Sequence, residues 1–176
     1  MSTFNCPEEV YLAERLVELH PWADMTRFAR SGGEANAIAI RIARAASGKE
    51  KVAICGYHGW HDWYLSANLS DDSSLDGHLL PGLEPKGVPR ELRGSAIPFA
   101  YNDLEGLEQL IIQHEIGVIK MEVFRSAEPE EGYLESVRKL ASDHNIILIF
   151  DESTSGFRET FGGLHKLYKV DPDIAI

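Results

Sequence analysis

The sequence predicts an α/β domain: a three-layer fold with a mainly parallel sheet and helices on both faces. Two patterns lead there. From Ala96 onward, apolar runs of strand length alternate with stretches of helical period across short connections, the rhythm of βαβ units. Ile146-Ile-Leu-Ile-Phe150 is an unbroken apolar run, which reads as a strand buried on both faces. It leads directly into Asp151-Glu152 and a Ser-Thr-Ser-Gly turn. A carboxylate there stands where a central parallel strand ends, at the rim where open α/β sheets bind ligands.

Taken in order, Pro7 to His20 reads as a helix with an apolar stripe of Val10, Leu12, Ala13, Leu16, Val17 and Leu19, stopped by Pro21. This N-terminal helical segment, residues 1–20, carries no chemistry and is assigned to scaffold or to a partner contact. The sheet domain then runs over 21–176. Ser31 and Glu34 fit a capping box, the pattern in which two side chains reciprocally satisfy backbone donors at a helix start. Ala35, Ile38, Ala39, Ile42, Ala45 and Ala46 keep helical spacing, with Arg41 and Arg44 off that face, until Gly48 ends the helix. Lys51–Gly56 is a short strand leading into Tyr57. The region from Ser66 to Gly94 is rich in Gly, Pro, Asp and Ser without a sustained period and reads as a long surface excursion.

Regular alternation follows: a strand from Ala96 through Phe99, a helix from Asp103 to about Gln113, and a strand from Gly117 to Met121. Asn102 with Glu105 offers the capping signal of that helix. A helix from Tyr133 to His144 presents Leu134, Val137, Leu140 and Ala141, and the strand Ile146–Phe150 succeeds it. Asp171–Ile176 reads as the start of one more strand.

Composition narrows the function classes. A net charge of -11 argues against nucleic acid or an anionic membrane as partner. The two cysteines, Cys6 and Cys55, suggest no disulfide framework, and the first residues lack the basic and apolar regions of a signal peptide. No apolar run approaches the ~20 residues of a membrane span. These features predict a soluble, cytoplasmic protein.

Four places can carry chemistry. Ser31-Gly-Gly-Glu-Ala puts consecutive glycines at a helix start, where free N–H groups and the positive dipole end suit a phosphate, although a plain capped turn needs the same residues. Tyr57-His-Gly-Trp-His-Asp-Trp-Tyr64 gathers aromatic and imidazole rings past a strand end, suited to a flat heterocycle or to packing under a loop. His58, His61 and Asp62 also leave a metal site open, but no further ligand cluster has helpful spacing, and no metal is assigned. Glu122 and Asp151 close two strands on the same edge as Tyr57, a convergence that no single motif provides. Glu152 and Arg158 read as a rim charge and a surface or subunit-contact cation.

These residues also carry a resemblance. Ser31-Gly-Gly-Glu-Ala-Asn36, Tyr57-His-Gly-Trp-His-Asp-Trp63 and Asp151-Glu-Ser-Thr-Ser-Gly-Phe-Arg158 resemble, in order and spacing, the motifs of the class III aminotransferases. Those are fold-type-I pyridoxal 5'-phosphate (PLP) enzymes, and the likeness is to their glutamate-1-semialdehyde aminomutase-like branch, from about Pro21 to the end. It implies the large, PLP-binding domain of such an enzyme, acting as a homodimer on a small-molecule amino donor and carbonyl acceptor. It implies Gly32 and Gly33 at the phosphate, Tyr57 stacked on the ring and His58 lining the pocket. Glu122 supports the pocket, Asp151 faces the pyridine nitrogen, and Thr154 approaches the ring's 3-oxygen. A carboxylate about 4 Å from that nitrogen is worth roughly 4 kcal/mol, enough to raise a pyridine pKa by up to ~3 units. Where the family has Glu-Pro-x-x-Gly, this chain has Glu122-Val-Phe-Arg-Ser, so substrate contacts from that loop do not carry over.

In the family the Schiff-base lysine falls a few residues past the last strand, beyond Ile176, and Lys166 and Lys169 are expected at the wrong edge of the sheet. The expectation is therefore a fragment, truncated before the lysine and without the small domain, inactive alone and binding PLP weakly and non-covalently at best. Two other readings stand beside it. One is a non-catalytic remnant acting as a dimerising or regulatory partner. The other is an unrelated nucleotide binder, disfavoured because no strand leads into a Gly-x-Gly-x-x-Gly turn.

Overall fold

The structure, a computed structural model, describes residues 6–71, 73–75, 82–124 and 126–176. Five strands, β1 (Lys51–Cys55), β2 (Ala96–Pro98), β3 (Ile116–Glu122), β4 (Ile147–Asp151) and β5 (Ile174–Ala175), form one sheet in the order β2-β1-β3-β4-β5. Every pairing is parallel. The chain steps outward from β1 to β2, then crosses back over β1 to β3 and continues the other way. That reversal makes the β1/β3 boundary the topological switch point, where an open parallel sheet leaves a crevice beyond its strand ends.

Two cores cover the two faces, because alternate residues of each strand point to opposite sides. On one face Val52, Ile54, Val118 and Ile149 pack beneath α2 (Gly32–Ser47) with its Ala39, Ile40 and Ala43. On the other, Ala53, Cys55, Ile119, Met121, Leu148 and Phe150 meet α4 (Leu104–Gln113) and α5 (Tyr133–Asp143) through Leu107, Ile111, Leu134, Val137 and Ala141. β3 is buried along its whole length, as a central parallel strand must be. The three-layer expectation holds, with element ends within a residue or two of the sequence reading except at β5, which begins three residues after Asp171. The remaining α-helices among the described residues are α1 (Pro7–Leu19) and the single turns α3 (Asp62–Leu65) and α6 (His165–Tyr168). No helix among the described residues is long and apolar enough to cross a membrane.

Several local expectations are corrected. The buried stripe of α2 is Asn36, Ala39, Ile40 and Ala43, whereas Ile42 is half exposed. Two alanines on the sheet side let the helix lie close to β3 and β4, and the larger Ile42 turns outward. Ser31 caps α2 by accepting from Glu34 N (3.3 Å), but the Glu34 carboxylate accepts from Arg30 N (2.8 Å), so the reciprocal arm of the capping box is displaced by one residue. The cap of α4 is Asp103, accepting from Gly106 N (2.8 Å), not Asn102. Asn102 instead adopts a left-handed φ of 62° and binds Glu128 O and Glu130 N across the following loop.

The excursion after Ser66 is not simply a surface loop. Ser66–Leu69 forms a buried 3-10 turn, Leu75 and Val88 join it in the interior, and Asn68 accepts from Leu75 N (3.0 Å). Residues 72 and 76–81 of that excursion lie outside the described residues, as does position 125 in the loop after Glu122. α1 buries none of its 13 residues, and Val10, Tyr11 and Leu12 stand exposed.

Candidate functional site

The ends of β1, β3 and β4 bring Tyr57, Glu122 and Asp151 to one edge because the strands are parallel and in register. Glu122 pairs with Asp151 across β3 and β4, and Cys55 with Met121 across β1 and β3. Beyond β1 the chain turns at Gly56 (φ 116°), and the Glu122 carboxylate occupies the place a side chain there would take, so only glycine fits. Glu122 is thus a buried residue, not a solvated one: Oε2 accepts from Tyr57 N (3.2 Å) across the switch point. The Tyr57 ring is half-buried and lies edge-on to Tyr64, 6.0 Å between centroids. Tyr64 anchors the turn by donating to Gly56 O (2.9 Å).

Asp151 is 3% exposed. Its Oδ2 accepts from His58 Nδ1 (2.9 Å), and its Oδ1 accepts from Ser153 N (3.2 Å). Lys120 approaches the same carboxylate, with Nζ 3.3 Å from Oδ2. Burial alone would push the Asp151 carboxyl up, but the Lys120 charge and the His58 and Ser153 hydrogen bonds outweigh it and hold it far below the usual carboxylate range. Burial also lowers the Lys120 amine, opposed by Asp151 and Glu122. His58 is fully buried, stacked 6.3 Å from Trp63, and lowered to about 4 by burial and by Lys120. It is therefore neutral at ordinary pH. The carboxylate fixes its tautomer with the proton on Nδ1, which leaves Nε2 a bare acceptor with no hydrogen-bond partner among the described residues.

The start of α2 lies beside the turn that follows this carboxylate. A Cβ on Gly32 would sit 3.4 Å from Ser153 Oγ, two residues past Asp151, and one on Gly33 would meet the His61 ring at 2.7 Å. The open N–H groups of a 16-residue helix and the strand-end carboxylate therefore share one rim. Thr154 is exposed on that rim. No group of three or more His, Cys, Asp or Glu gathers for a metal among the described residues, and His58 Nδ1 is committed to Asp151.

Sequence reading misses Lys120 and misplaces Glu152. Lys120 is fully buried in the middle of β3. A lysine inside a run that must be buried on both faces is the signal that pointed to it. Glu152 is not a rim charge: it is 5% exposed and accepts from Leu164 N, from His165 N (3.1 Å), from His165 Nδ1 and from Ser155 Oγ (3.1 Å). His165 Nε2 in turn accepts from Trp22 Nε1 (3.2 Å), which ties the stretch after α1 to the loop after β4. Arg158 is exposed, as expected. Lys166 donates to Leu19 O (2.8 Å) and Lys169 is exposed, so neither reaches Asp151.

A family model described as aminotransferase class-III matches residues 1–176. Glutamate-1-semialdehyde 2,1-aminomutase of Methanobrevibacter smithii is 38% identical over 183 residues, covering 98% of this chain and 42% of that protein. Among solved structures, an omega-transaminase from Sphaerobacter thermophilus matches with a TM-score of 0.83 at 31% identity, covering 99% of this chain and 42% of the other. A transaminase with PLP bound matches with a TM-score of 0.82 at 25% identity, covering 99% and 41%. The chain thus spans about two-fifths of the length of the relatives it matches. Its parallel five-stranded sheet is that of the PLP transferases, for which PLP is the expected cofactor. The chain belongs to the class III aminotransferases.

Proposed function

We propose that this chain supplies the cofactor-binding part of an enzyme that moves an amino group between an amino donor and a carbonyl compound, by transamination or by aminomutation. One observation carries the reading: a buried, ionised Asp151 at the end of a central strand, beside the glycine-led start of α2. The residues fit PLP. Gly32 and Gly33 leave backbone N–H groups open to a phosphate, and the half-buried Tyr57 offers a ring face. His58 adds a buried acceptor that no other group among the described residues uses. Thr154 and Glu122 complete the assignment, the first from the exposed rim and the second by holding the Tyr57 backbone.

Bound there, PLP supplies an electron sink for the carbanion left when a proton departs from the substrate's α-carbon. Asp151 keeps a proton on the ring nitrogen by offering it a carboxylate in a dry site. His58 holds that carboxylate in place, and Tyr57 orients the ring. Lys120 stands at Asp151 itself, and Lys166 and Lys169 do not reach it. None of these three is assigned as a covalent anchor for the group. On this reading PLP binds these residues without a covalent bond and without turnover. The exposed apolar residues of α1, Val10, Tyr11 and Leu12, support a second copy of the chain as partner.

The test is an absorbance titration of the chain with PLP beside Asp151→Asn, each shown folded by circular dichroism. Saturable binding with a spectral shift, weakened at least about tenfold in the variant, is the expected result. Equal binding by both proteins would remove the ring site, and transaminase turnover by this chain would overturn the claim of inactivity.

A further inference from the structure

Lys120 has no task in the reading above, yet its placement is the least ordinary feature of the sheet. Register sets it between Ile54 of β1 and Ile149 of β4, on the face covered by α2, and it is fully buried. A methionine would fill such a place without the desolvation cost of an ammonium, so what Lys120 adds is its charge. That charge is aimed at one atom, Asp151 Oδ2, at 3.3 Å, and Nζ is lined up as a hydrogen bond with no described group. His58 Nδ1 binds the same oxygen. The opposite oxygen, Oδ1, receives only Ser153 N among the described residues and keeps a lone pair for an incoming N–H.

The other groups facing Lys120 do not substitute for it. Asp151 and Glu122 are acids, and His58 is neutral. β1 contributes Ile54, and α2 contributes Asn36, Ala39, Ile40 and Ala43, none of them titratable.

We propose that Lys120 is a positioning residue for the cofactor's ring nitrogen. By holding Asp151 through Oδ2 it leaves Oδ1 for the ring, and by sharing the carboxylate's charge it lowers the ring's hold on its proton. The proposal rests on the ring site proposed above. A buried carboxylate with no other counter-charge would keep a pyridine protonated far into the alkaline range. A second cation on the same carboxylate limits this and makes ring protonation responsive to pH nearer neutrality. For an ammonium about 6 Å from the ring nitrogen at an effective dielectric constant of about 20, the repulsion moves that proton's titration by about 1–2 pH units.

The probe is 4'-deoxypyridoxine 5'-phosphate, which has the ring and phosphate but no aldehyde, so no lysine can bond to it. The ultraviolet band of the bound ring is followed against pH in the wild-type chain, Lys120→Met, Lys120→Arg and Asp151→Asn, with circular dichroism of each. Lys120→Met is expected to bind and to stay protonated to a pH at least about one unit above the wild type. Lys120→Arg, which keeps the charge, is expected to titrate with the wild type. An unchanged midpoint in a folded Lys120→Met overturns the role of Lys120 and leaves the ring site standing. A midpoint raised by a full unit in Lys120→Arg overturns it as well, whether or not Lys120→Met folds. If the wild type binds the probe no better than Asp151→Asn, the ring site fails and the proposal with it.

Discussion

Replacing Asp151 by Asn should unfold the chain far more readily than an isosteric change normally does. The amide keeps the shape, and its oxygen can still accept from Ser153 while its NH2 donates to His58 in the other tautomer, but it removes the only carboxylate within ion-pair distance of Lys120 among the described residues. At 3.3 Å the lost attraction is about 5 kcal/mol for an effective dielectric constant of about 20. A second limit comes from the lysine. Shedding a proton at pH 7 costs an ordinary lysine about 3.4 pH units, or roughly 4.6 kcal/mol, so the ammonium need never bear more than that. Both bounds agree with the 3–5 kcal/mol, roughly, that breaking a buried pair costs.

Lys120→Met should cost less, because His58, already bonded to Asp151 and held neutral partly by Lys120, can then take up a proton in its place. The double variant Lys120→Met/Asp151→Asn removes both charges and should recover to within about 1–2 kcal/mol of the wild type, a coupling of about 3 kcal/mol. Urea unfolding followed by circular dichroism, with the slope m compared among the four proteins, reads all of this. If Asp151→Asn costs under about 1 kcal/mol and the double variant is merely additive, the ion pair is not a strong buried contact and the reasoning fails.

Two further outcomes follow from the same geometry. His58 has a folded-state pKa of about 4, below the ordinary value of 6.5, so the unfolded chain binds more protons between those limits. Its share of stability is therefore complete above pH 6.5 and lost as pH falls toward 4, a change of up to about 3 kcal/mol, and His58→Asn should flatten the stability profile in that window. Glu152→Ala strands two backbone N–H groups and His165 Nδ1 in the interior. A loss of roughly 3–5 kcal/mol is expected, with faster hydrogen exchange at 153–170; unchanged protection there would show that the network bears no weight.

Most of the fold is legible in the sequence because its signals are local. Alternation of apolar runs and helical stripes from Ala96 onward marks β2 to β4 and the helices between them, and the strand ends that carry Glu122 and Asp151 follow directly. What local pattern does not carry is rotation and partnership. Spacing alone reads the α2 stripe through Ala35, Ile38, Ala39, Ile42, Ala45 and Ala46, whereas the buried side is set by close approach to the sheet and is Asn36, Ala39, Ile40 and Ala43. Glu152 looks like a loop charge until His165, 13 residues on, folds back against it.

Lys120 shows the limit most clearly. A lysine two residues before a strand-end glutamate ordinarily belongs to solvent, and the apolar run it interrupts is its one local contrary signal. Only the sheet order decides otherwise. Because β3 is a central strand, flanked by β1 and β4, it lies beneath α2 on one face and beneath α4 and α5 on the other, and the alternation that sends Val118 toward α2 sends Lys120 there too. The register that pairs Glu122 with Asp151 then places the ammonium one step below the carboxylate, within reach of it and out of reach of water. His58, 93 residues from Asp151, arrives at the same oxygen by the parallel strand on the other side. The candidate site is thus a consequence of strand order as much as of motif: the motifs name Asp151, and the topology supplies the two nitrogens that keep it charged.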